Sequence, residues 1–221
     1  MPTVRVNGAE IYYEEAGSGP PIILSSGGLQ GVASSYHSVM ESLSSKYRVV
    51  VYDRRFGGQS RSPLVVQTWD LVCEDLFGLM DILAIDQAYL GGGSFGAAIS
   101  LGCAVRRPER VWAIFPSNIA GGIICDSYLS MKLYKSADMA MNRGISAVVS
   151  AFDTSDQFAP FTPEIAQHDP KYRRALEEMA PEDFAQVMRD MQNSGFSVLP
   201  RTIRKTELGY RFDMSYKPPE D

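Results

Sequence analysis

Ser94 stands in a stretch whose residue types suit nucleophilic chemistry. The sequence Gly92-Gly93-Ser94-Phe95-Gly96 follows the G-x-S-x-G pattern, in which a serine sits at the tip of a tight turn between a strand and a helix. The residues two before and two after such a serine must be small, because the backbone of the turn is strained. N–H groups at the start of the following helix can stabilise an oxyanion. An ordinary glycine-rich turn with an incidental serine can have the same sequence pattern. The surrounding elements must therefore decide between a nucleophile and an incidental serine.

The elements around this stretch alternate between strands and helices. Asn7-Gly8 separates two alternating segments and predicts an opening β-hairpin. Short apolar runs predict buried strands at residues 22–24, 47–53, 87–90 and 111–115. Helical spacing predicts helices between them at residues 35–44, 66–83 and 95–106. We therefore predict an α/β fold with a mostly parallel central sheet and helices on both faces.

The character of the chain changes after Asn118. Four helical segments are predicted, at residues 127–142, 146–152, 163–179 and 181–191, with no buried-strand pattern among them. This order predicts a core over residues 1–119 and a helical cap over residues 120–200. Residues 201–221 are then a segment that returns toward the core without completing it. Residues 203–208 are too polar for a buried strand.

Composition excludes several classes of function. The formal net charge is −5 and the basic residues are scattered, which argues against nucleic acid as a partner. Cys73, Cys103 and Cys125 lie far apart, without metal-ligand spacing, as expected of reduced thiols. Neither a signal peptide nor an apolar run of about 20 residues is present. We expect a cytoplasmic protein that does not bind membranes, and no metal-ligand cluster is visible in the sequence.

Three loops fall at the carboxyl ends of successive predicted strands, where open α/β sheets bind ligands. They cover residues 25–31, residues 53–62 and the turn at Ser94. The chain resembles the α/β-hydrolase fold family, in its single-domain, cap-bearing branch, over roughly residues 4–122. Landmarks in the family's order carry the resemblance: Asn7-Gly8, residues 17–21, the glycine loop after Leu24, residues 52–60, residues 92–96 and Arg107-Pro108-Glu109-Arg110-Val111.

The resemblance implies a serine hydrolase site. Ser94 is then the nucleophile, and the backbone N–H groups of Phe95 and Gly28 form the oxyanion hole. The family often has His-Gly before the second of these donors, where this chain has Ser26 and Gly27. Because the donors are backbone groups, that change need not abolish the hole. The loop is similar to that of a subset that includes enol-lactone and aminoacrylate-type hydrolases.

The resemblance also implies an apolar substrate pocket beneath the cap. Leu29 and Phe56 are the core residues expected to line it. For Phe56 an ordinary packing role is an equal alternative. The partner implied is a small-molecule substrate.

The remaining members of a catalytic triad are harder to place. The family order is serine, then acid, then histidine. His37 precedes the serine and is expected to pack or face solvent on the first helix. His168, in the cap, is the remaining candidate base. Asp213 is the candidate acid, in a stretch similar to the family's turn after the next core strand.

Two functions from different classes remain open. The first is hydrolysis of a small ester, lactone or related carbonyl compound through Ser94. The second is an impaired or non-catalytic relative that binds an apolar small molecule or a protein. The family's last strand, histidine loop and final helix are not recognisable, so a truncated product, a fragment or a degenerate paralogue all fit. A homodimer would cover the sheet edge left open. Nucleotide binding is disfavoured, because no lysine stands in the Walker position.

Overall fold

A computed structural model describes residues 2–28, 33–119, 122–153, 156, 158–193, 202–206 and 209–213. For residues 122–126 and for the last two ranges it describes the backbone alone.

An antiparallel hairpin opens the chain, as predicted. Strand β1 (Thr3–Val6) pairs with β2 (Ala9–Ala16), and Val6 lies opposite Ala9. The two turn residues between them, Asn7 and Gly8, have φ of 46° and 77°. A two-residue turn with both φ positive matches the twist of the strands, which explains the Asn-Gly sequence.

The central sheet has six strands in the order β1-β2-β4-β3-β5-β6. The last four are β3 (Pro21–Ser25), β4 (Arg48–Tyr52), β5 (Ala88–Gly93) and β6 (Val111–Ser117). These four strands are parallel to one another, and β2 pairs with β4 in the antiparallel direction. The predicted α/β class with a mostly parallel sheet is therefore confirmed.

Helices cover both faces of this sheet. The alternation of side chains along β4 shows it, because Val50 faces one apolar cluster while Val49 and Val51 face another. The first cluster includes residues of α2 (Trp69–Ile82) and α3 (Phe95–Arg106). The second is covered by α1 (His37–Leu43) and the 3₁₀ turn before it (Ala33–Tyr36).

Two helix predictions need correction in the core. Helix α2 begins at Trp69, three residues later than predicted, because the Thr68 hydroxyl caps it by accepting from Leu71 N–H at 3.1 Å. Residues 64–66 pack instead against the apolar cluster of the cap. The helix predicted over residues 35–44 is shorter, because Ala33–Tyr36 form a 3₁₀ turn and α1 begins at His37.

The second half of the described chain is helical. It contains α4 (Gly122–Arg143), α5 (Ile145–Ser150), a 3₁₀ turn (Glu164–Gln167), α6 (Pro170–Glu177) and α7 (Pro181–Asn193). The single helix predicted over residues 163–179 is therefore wrong. Asp169 caps α6 by accepting from the N–H groups of Lys171 and Tyr172, and Pro170 takes the first helical position. The domain boundaries at residues 119 and 200 stay a prediction.

Strands β7 (Thr202–Thr206) and β8 (Gly209–Asp213) form a separate antiparallel pair. Within the described residues, neither strand joins the six-stranded sheet. The expectation that residues 203–208 are too polar for a buried strand concerns burial, which is outside the described part, and stays a prediction.

No described helix is both long enough and apolar enough to cross a bilayer. No group of three or more metal-ligating side chains is found among the residues that the structure describes.

Candidate active site

Ser94 occupies a strained turn between β5 and α3. Strand β5 ends at Gly93, α3 begins at Phe95, and Ser94 between them has φ 53° and ψ −116°. Such a conformation is rare for a residue with a side chain and costs about 1–3 kcal/mol unless the surroundings hold it. One hydrogen bond that holds this conformation runs from the Ser94 N–H to the Ser117 carbonyl, at 2.9 Å. The predicted strand–turn–helix is present at the predicted residues.

The glycines on either side of Ser94 have a steric reason. A Cβ at Gly96 would lie 1.8 Å from the Ser25 carbonyl oxygen, and one at Gly92 would lie 2.3 Å from the same atom. Both contacts are with backbone, which cannot move aside as a flexible side chain can. At Gly93 the nearest atom, Ser117 Oγ, is 3.4 Å away, an ordinary contact. The spacing of the motif therefore follows from the close approach of β3.

The loop after β3 lies directly beside Ser94. A Cβ built on Gly27 would be 3.1 Å from Ser94 Cβ and 3.7 Å from Ser94 Oγ. Gly28 follows with φ 73° and is exposed. The structure thus brings together Ser94, Phe95 and the Gly27-Gly28 segment. Leu29 lies outside the described residues, and the oxyanion role of Gly28 and Phe95 stays a prediction.

Arg54 connects these two parts of the site. Its Nη2 donates to the carbonyl oxygens of Ser26 at 3.3 Å and Gly27 at 3.2 Å, and to that of Gly28. Its guanidinium carbon lies 4.8 Å from the centroid of the Phe95 ring. Burial lowers the pKa of Arg54 to about 10, so the group is charged near neutral pH. Sequence reasoning missed this residue, although two adjacent arginines after a buried strand were a signal.

The neighbouring Arg55 has different partners. Its guanidinium donates to the Asp75 carboxylate at 2.9 Å and to the Asn7 carbonyl at 2.6 Å. Both charged side chains are buried, at 2% and 6% exposure. Through Asp75 and Asn7, Arg55 ties the opening hairpin to α2, which is a structural role.

Asp53 holds the loop after β4 in place. Its buried carboxylate accepts from Ala33 N–H and from Gln59 N–H, each at 2.6 Å. Burial raises the pKa of Asp53, opposed by these two hydrogen bonds. A Cβ at Gly58 would lie 2.1 Å from Asp53 Oδ2, so glycine is required there.

Phe56 attaches the same loop to the cap. Its side chain is buried in the apolar cluster of the cap and meets the Phe161 ring edge to face, with centroids 5.7 Å apart. Its carbonyl accepts from Glu164 N–H at 2.8 Å, and the Glu164 carboxylate accepts from Gly58 N–H at 2.9 Å. These contacts describe a packing role, and substrate contact by Phe56 stays a prediction.

The histidines do not contact Ser94. His37 Nε2 lies 3.0 Å from the Glu14 carboxylate. His168 is exposed at the end of the 3₁₀ turn, where its backbone N–H donates to the Ile165 carbonyl. Both histidines of the sequence are described, and neither forms a hydrogen bond with Ser94 Oγ. Asp213 ends β8 opposite Thr202, and its side chain is outside the described part. The roles predicted for His168 and Asp213 stay predictions.

A groove of about 430 Å³ lies elsewhere, between the opening hairpin and α6 of the cap. Its lining includes none of the predicted site residues; it comprises Arg5, Gly8, Ala9, Glu10, Arg61, Ser62, Pro63 and Tyr172.

Comparison with known proteins identifies the family. The profile of the alpha/beta hydrolase fold family matches residues 20–168. The chain therefore belongs to the α/β-hydrolase fold family.

Individual relatives include proteins named as hydrolases. The chain is 41% identical over 118 residues to an uncharacterized hydrolase, YraK, of Bacillus subtilis, an alignment covering 52% of this chain and 42% of that protein. It is 30% identical over 111 residues to a putative carbamate hydrolase, RutD, of Azorhizobium caulinodans, covering 50% of this chain and 42% of that protein. The chain thus spans less than half the length of these relatives.

A solved structure with a similar fold is the enol-lactonase from Burkholderia xenovorans LB400. The TM-score is 0.54 at 24% identity, covering 86% of this chain and 73% of the other. At this identity the likeness concerns the fold alone.

Proposed function

We propose that this chain carries the nucleophilic half of a serine hydrolase site and acts on a small ester, lactone or related carbonyl compound. The observation that carries the proposal is the strained Ser94 turn with the Gly27-Gly28 segment packed against it. A serine held at positive φ carries backbone strain. A nucleophile beside an oxyanion hole accounts for both the strained serine and the adjacent glycine loop.

The proposed reaction is acyl transfer to water in two stages. Ser94 Oγ attacks the carbonyl carbon of the substrate and loses its proton to a base. The N–H groups of Gly28 and Phe95 stabilise the negative charge that develops on the carbonyl oxygen. Collapse of this intermediate expels the alcohol or enol and leaves an acyl ester on Ser94. Water then attacks the ester and frees the acid and the serine.

The geometry limits the rate of this reaction. A serine hydroxyl is a weak nucleophile near neutral pH unless a base takes its proton. Among the described residues, His37 pairs with the Glu14 carboxylate, and neither His37 nor His168 forms a hydrogen bond with Ser94 Oγ. We therefore expect slow turnover of activated esters, whose leaving groups need no protonation, and little turnover of unactivated ones.

The substrate class rests on the carbonyl chemistry that such a site serves. One relative is named a putative carbamate hydrolase, whose substrate would also be attacked at a carbonyl carbon. The proposed partner is accordingly a small molecule with a reactive carbonyl group. No cofactor is needed for this chemistry.

Hydrolysis of 4-nitrophenyl acetate by the purified chain tests the proposal. Ser94→Ala should abolish the turnover. Ser100→Ala is a matched control on the same helix, because that buried hydroxyl only donates to the Gly96 carbonyl at 3.1 Å. Equal rates for the parent chain and Ser94→Ala would refute the proposal.

A second candidate function is binding without catalysis, and it is favoured because neither histidine forms a hydrogen bond with Ser94 Oγ among the described residues. The ligand would be an apolar small molecule or a protein partner. Imidazole added to the ester assay separates the two functions, since it can replace a missing base. Acceleration that depends on Ser94 supports the hydrolase. No acceleration, together with ligand-dependent thermal stabilisation, supports the binding protein.

A further inference from the structure

We propose that Arg54 is a positioning residue that holds both oxyanion donors, Gly28 and Phe95, in the orientation that faces Ser94. The inference rests on the proposed hydrolase function and deepens it. No part of it depends on Arg54 touching the substrate.

The first support is the set of carbonyl groups that Arg54 binds. Its Nη2 contacts the carbonyl oxygens of three successive residues, Ser26, Gly27 and Gly28. In a trans peptide the C=O of one residue and the N–H of the next point in opposite directions. Holding the Gly27 carbonyl on the Arg54 side therefore turns the Gly28 N–H away from Arg54.

The orientation of this peptide matters because Ser94 lies beside the loop. The Gly27 backbone is in close contact with Ser94, with a built Cβ 3.1 Å from Ser94 Cβ. Gly28 has left-handed backbone, with φ 73°, and a Cβ there would meet nothing within 4 Å. The hydrogen bonds from Arg54 to the Gly27 and Gly28 carbonyl groups hold this peptide.

The second support is the contact with Phe95. The Arg54 guanidinium lies over the Phe95 ring at 4.8 Å, and the Phe95 ring also stacks on Trp69, with centroids 4.9 Å apart and planes 12° apart. A desolvated cation over the face of an aromatic ring is attracted to that ring. Because Phe95 is the first residue of α3, fixing its side chain also fixes the backbone at the start of the helix.

The chemistry favours arginine over lysine here. A guanidinium is planar and carries five donors, so one face can stack on Phe95 while the edge binds carbonyl groups. An ammonium group can donate to a carbonyl but cannot do both. Arg54→Lys should therefore retain part of the function, and Arg54→Met, which keeps the length without donors or charge, should lose it.

The experiment compares these two variants with the parent chain and with Arg55→Lys. Arg55 is the matched control, because it is an adjacent buried arginine whose partners are Asp75 and Asn7. Two readouts are taken. One is kcat and KM for 4-nitrophenyl acetate, and the other is the ¹H–¹⁵N heteronuclear NOE of the Gly28 and Phe95 amides.

Arg54→Met is expected to lower kcat by about tenfold to a hundredfold, somewhat less than complete loss of an oxyanion donor. KM should change by less than about twofold, since the donors act on the transition state. The NOE of the Gly28 amide should fall. The kcat and NOE values of Arg54→Lys should lie between those of the parent chain and Arg54→Met. Arg55→Lys should leave kcat and the NOE values of both amides near those of the parent chain. A merely structural role would lower thermal stability without this pattern.

Each contrary outcome has a defined meaning. Unchanged kcat and unchanged amide NOE values in Arg54→Met would overturn the inference. If the parent chain has no Ser94-dependent turnover, the proposed function fails, and the NMR readout alone decides whether Arg54 orders Gly28. If Arg54→Met does not fold, Arg54→Lys decides, because retention of parent kcat and NOE values by that variant would overturn the inference.

Discussion

Gly96→Ala is the substitution that tests the geometry of the Ser94 turn most severely. The added Cβ would lie 1.8 Å from the Ser25 carbonyl oxygen and 2.5 Å from its carbonyl carbon. Ordinary contact begins at 3.4 Å, so β3 and α3 would have to separate by about 1.6 Å at this point. The obstructing atoms are backbone atoms in the centre of the sheet, and no side-chain rotation relieves the contact.

The expected magnitude follows from the cost of overpacking. Forcing extra carbon into a packed interior costs about 1–3 kcal/mol, and a clash between two backbone segments belongs at the upper end or beyond. For a chain of this size about 3 kcal/mol corresponds to a fall in Tm of about 6–12 °C. Because the shift moves Ser25 and the loop behind it, Ser94-dependent ester hydrolysis should fall as well.

Gly93→Ala is the matched control for this experiment. It adds the same methyl group three residues earlier in the same turn, but its nearest neighbour is Ser117 Oγ at 3.4 Å. The change in Tm should be less than about 3 °C. Thermal unfolding followed by circular dichroism measures both variants. Equal stability of Gly96→Ala and Gly93→Ala would refute the steric account of the motif.

Three further predictions concern stability. Ser94→Gly should raise the free energy of unfolding by about 1 kcal/mol, since it removes backbone strain, whereas Ser94→Ala should not; urea unfolding measures both, and equal values for the two contradict the strain. Asp75→Ala leaves Arg55 buried without its carboxylate and should cost about 3–5 kcal/mol, against less than about 1 kcal/mol for Asp70→Ala, whose carboxylate is 81% exposed. Arg61, and to a smaller extent the N–H groups of Tyr172 and Lys171, donate hydrogen bonds to the Asp169 carboxylate and hold its pKa below the usual range. The stability that these contacts contribute is therefore present above the usual aspartate pKa and is lost as pH falls through the lowered pKa. The advantage of the parent chain over Asp169→Asn in urea should therefore shrink as pH falls below the usual range of an aspartate pKa, and an advantage that is constant with pH would contradict this.

Local signals in the sequence predict much of the fold. Asn7-Gly8 predicts the hairpin because few other residues tolerate two positive φ values in succession. The glycines around Ser94 predict the strand–turn–helix, and α3 has the predicted bounds of residues 95–106. In both cases the reason is steric and acts within a few residues, so the sequence alone contains it.

Features that depend on distant partners were not predicted. Residues 64–66 continue the apolar spacing of α2, yet they pack against the cap, and periodicity does not name the partner. Arg54 and Arg55 lie in the interior, although charged side chains are rarely buried. Carbonyl groups of another loop bind Arg54 there, and Asp75 of α2 binds Arg55. The break before α6 was readable, since Asp169-Pro170 is a strong helix start.

The measurement that tests the central claim most directly is the site of acylation. The purified chain is mixed with 4-nitrophenyl acetate, quenched in acid and examined by intact-mass and peptide mass spectrometry, with Ser94→Ala treated in parallel. If Ser94 is the nucleophile, one acetyl group is found on Ser94 of the parent chain, and the variant carries none there or elsewhere in comparable yield. An unmodified Ser94, or an equal level of acetylation in the variant, would contradict the proposed function.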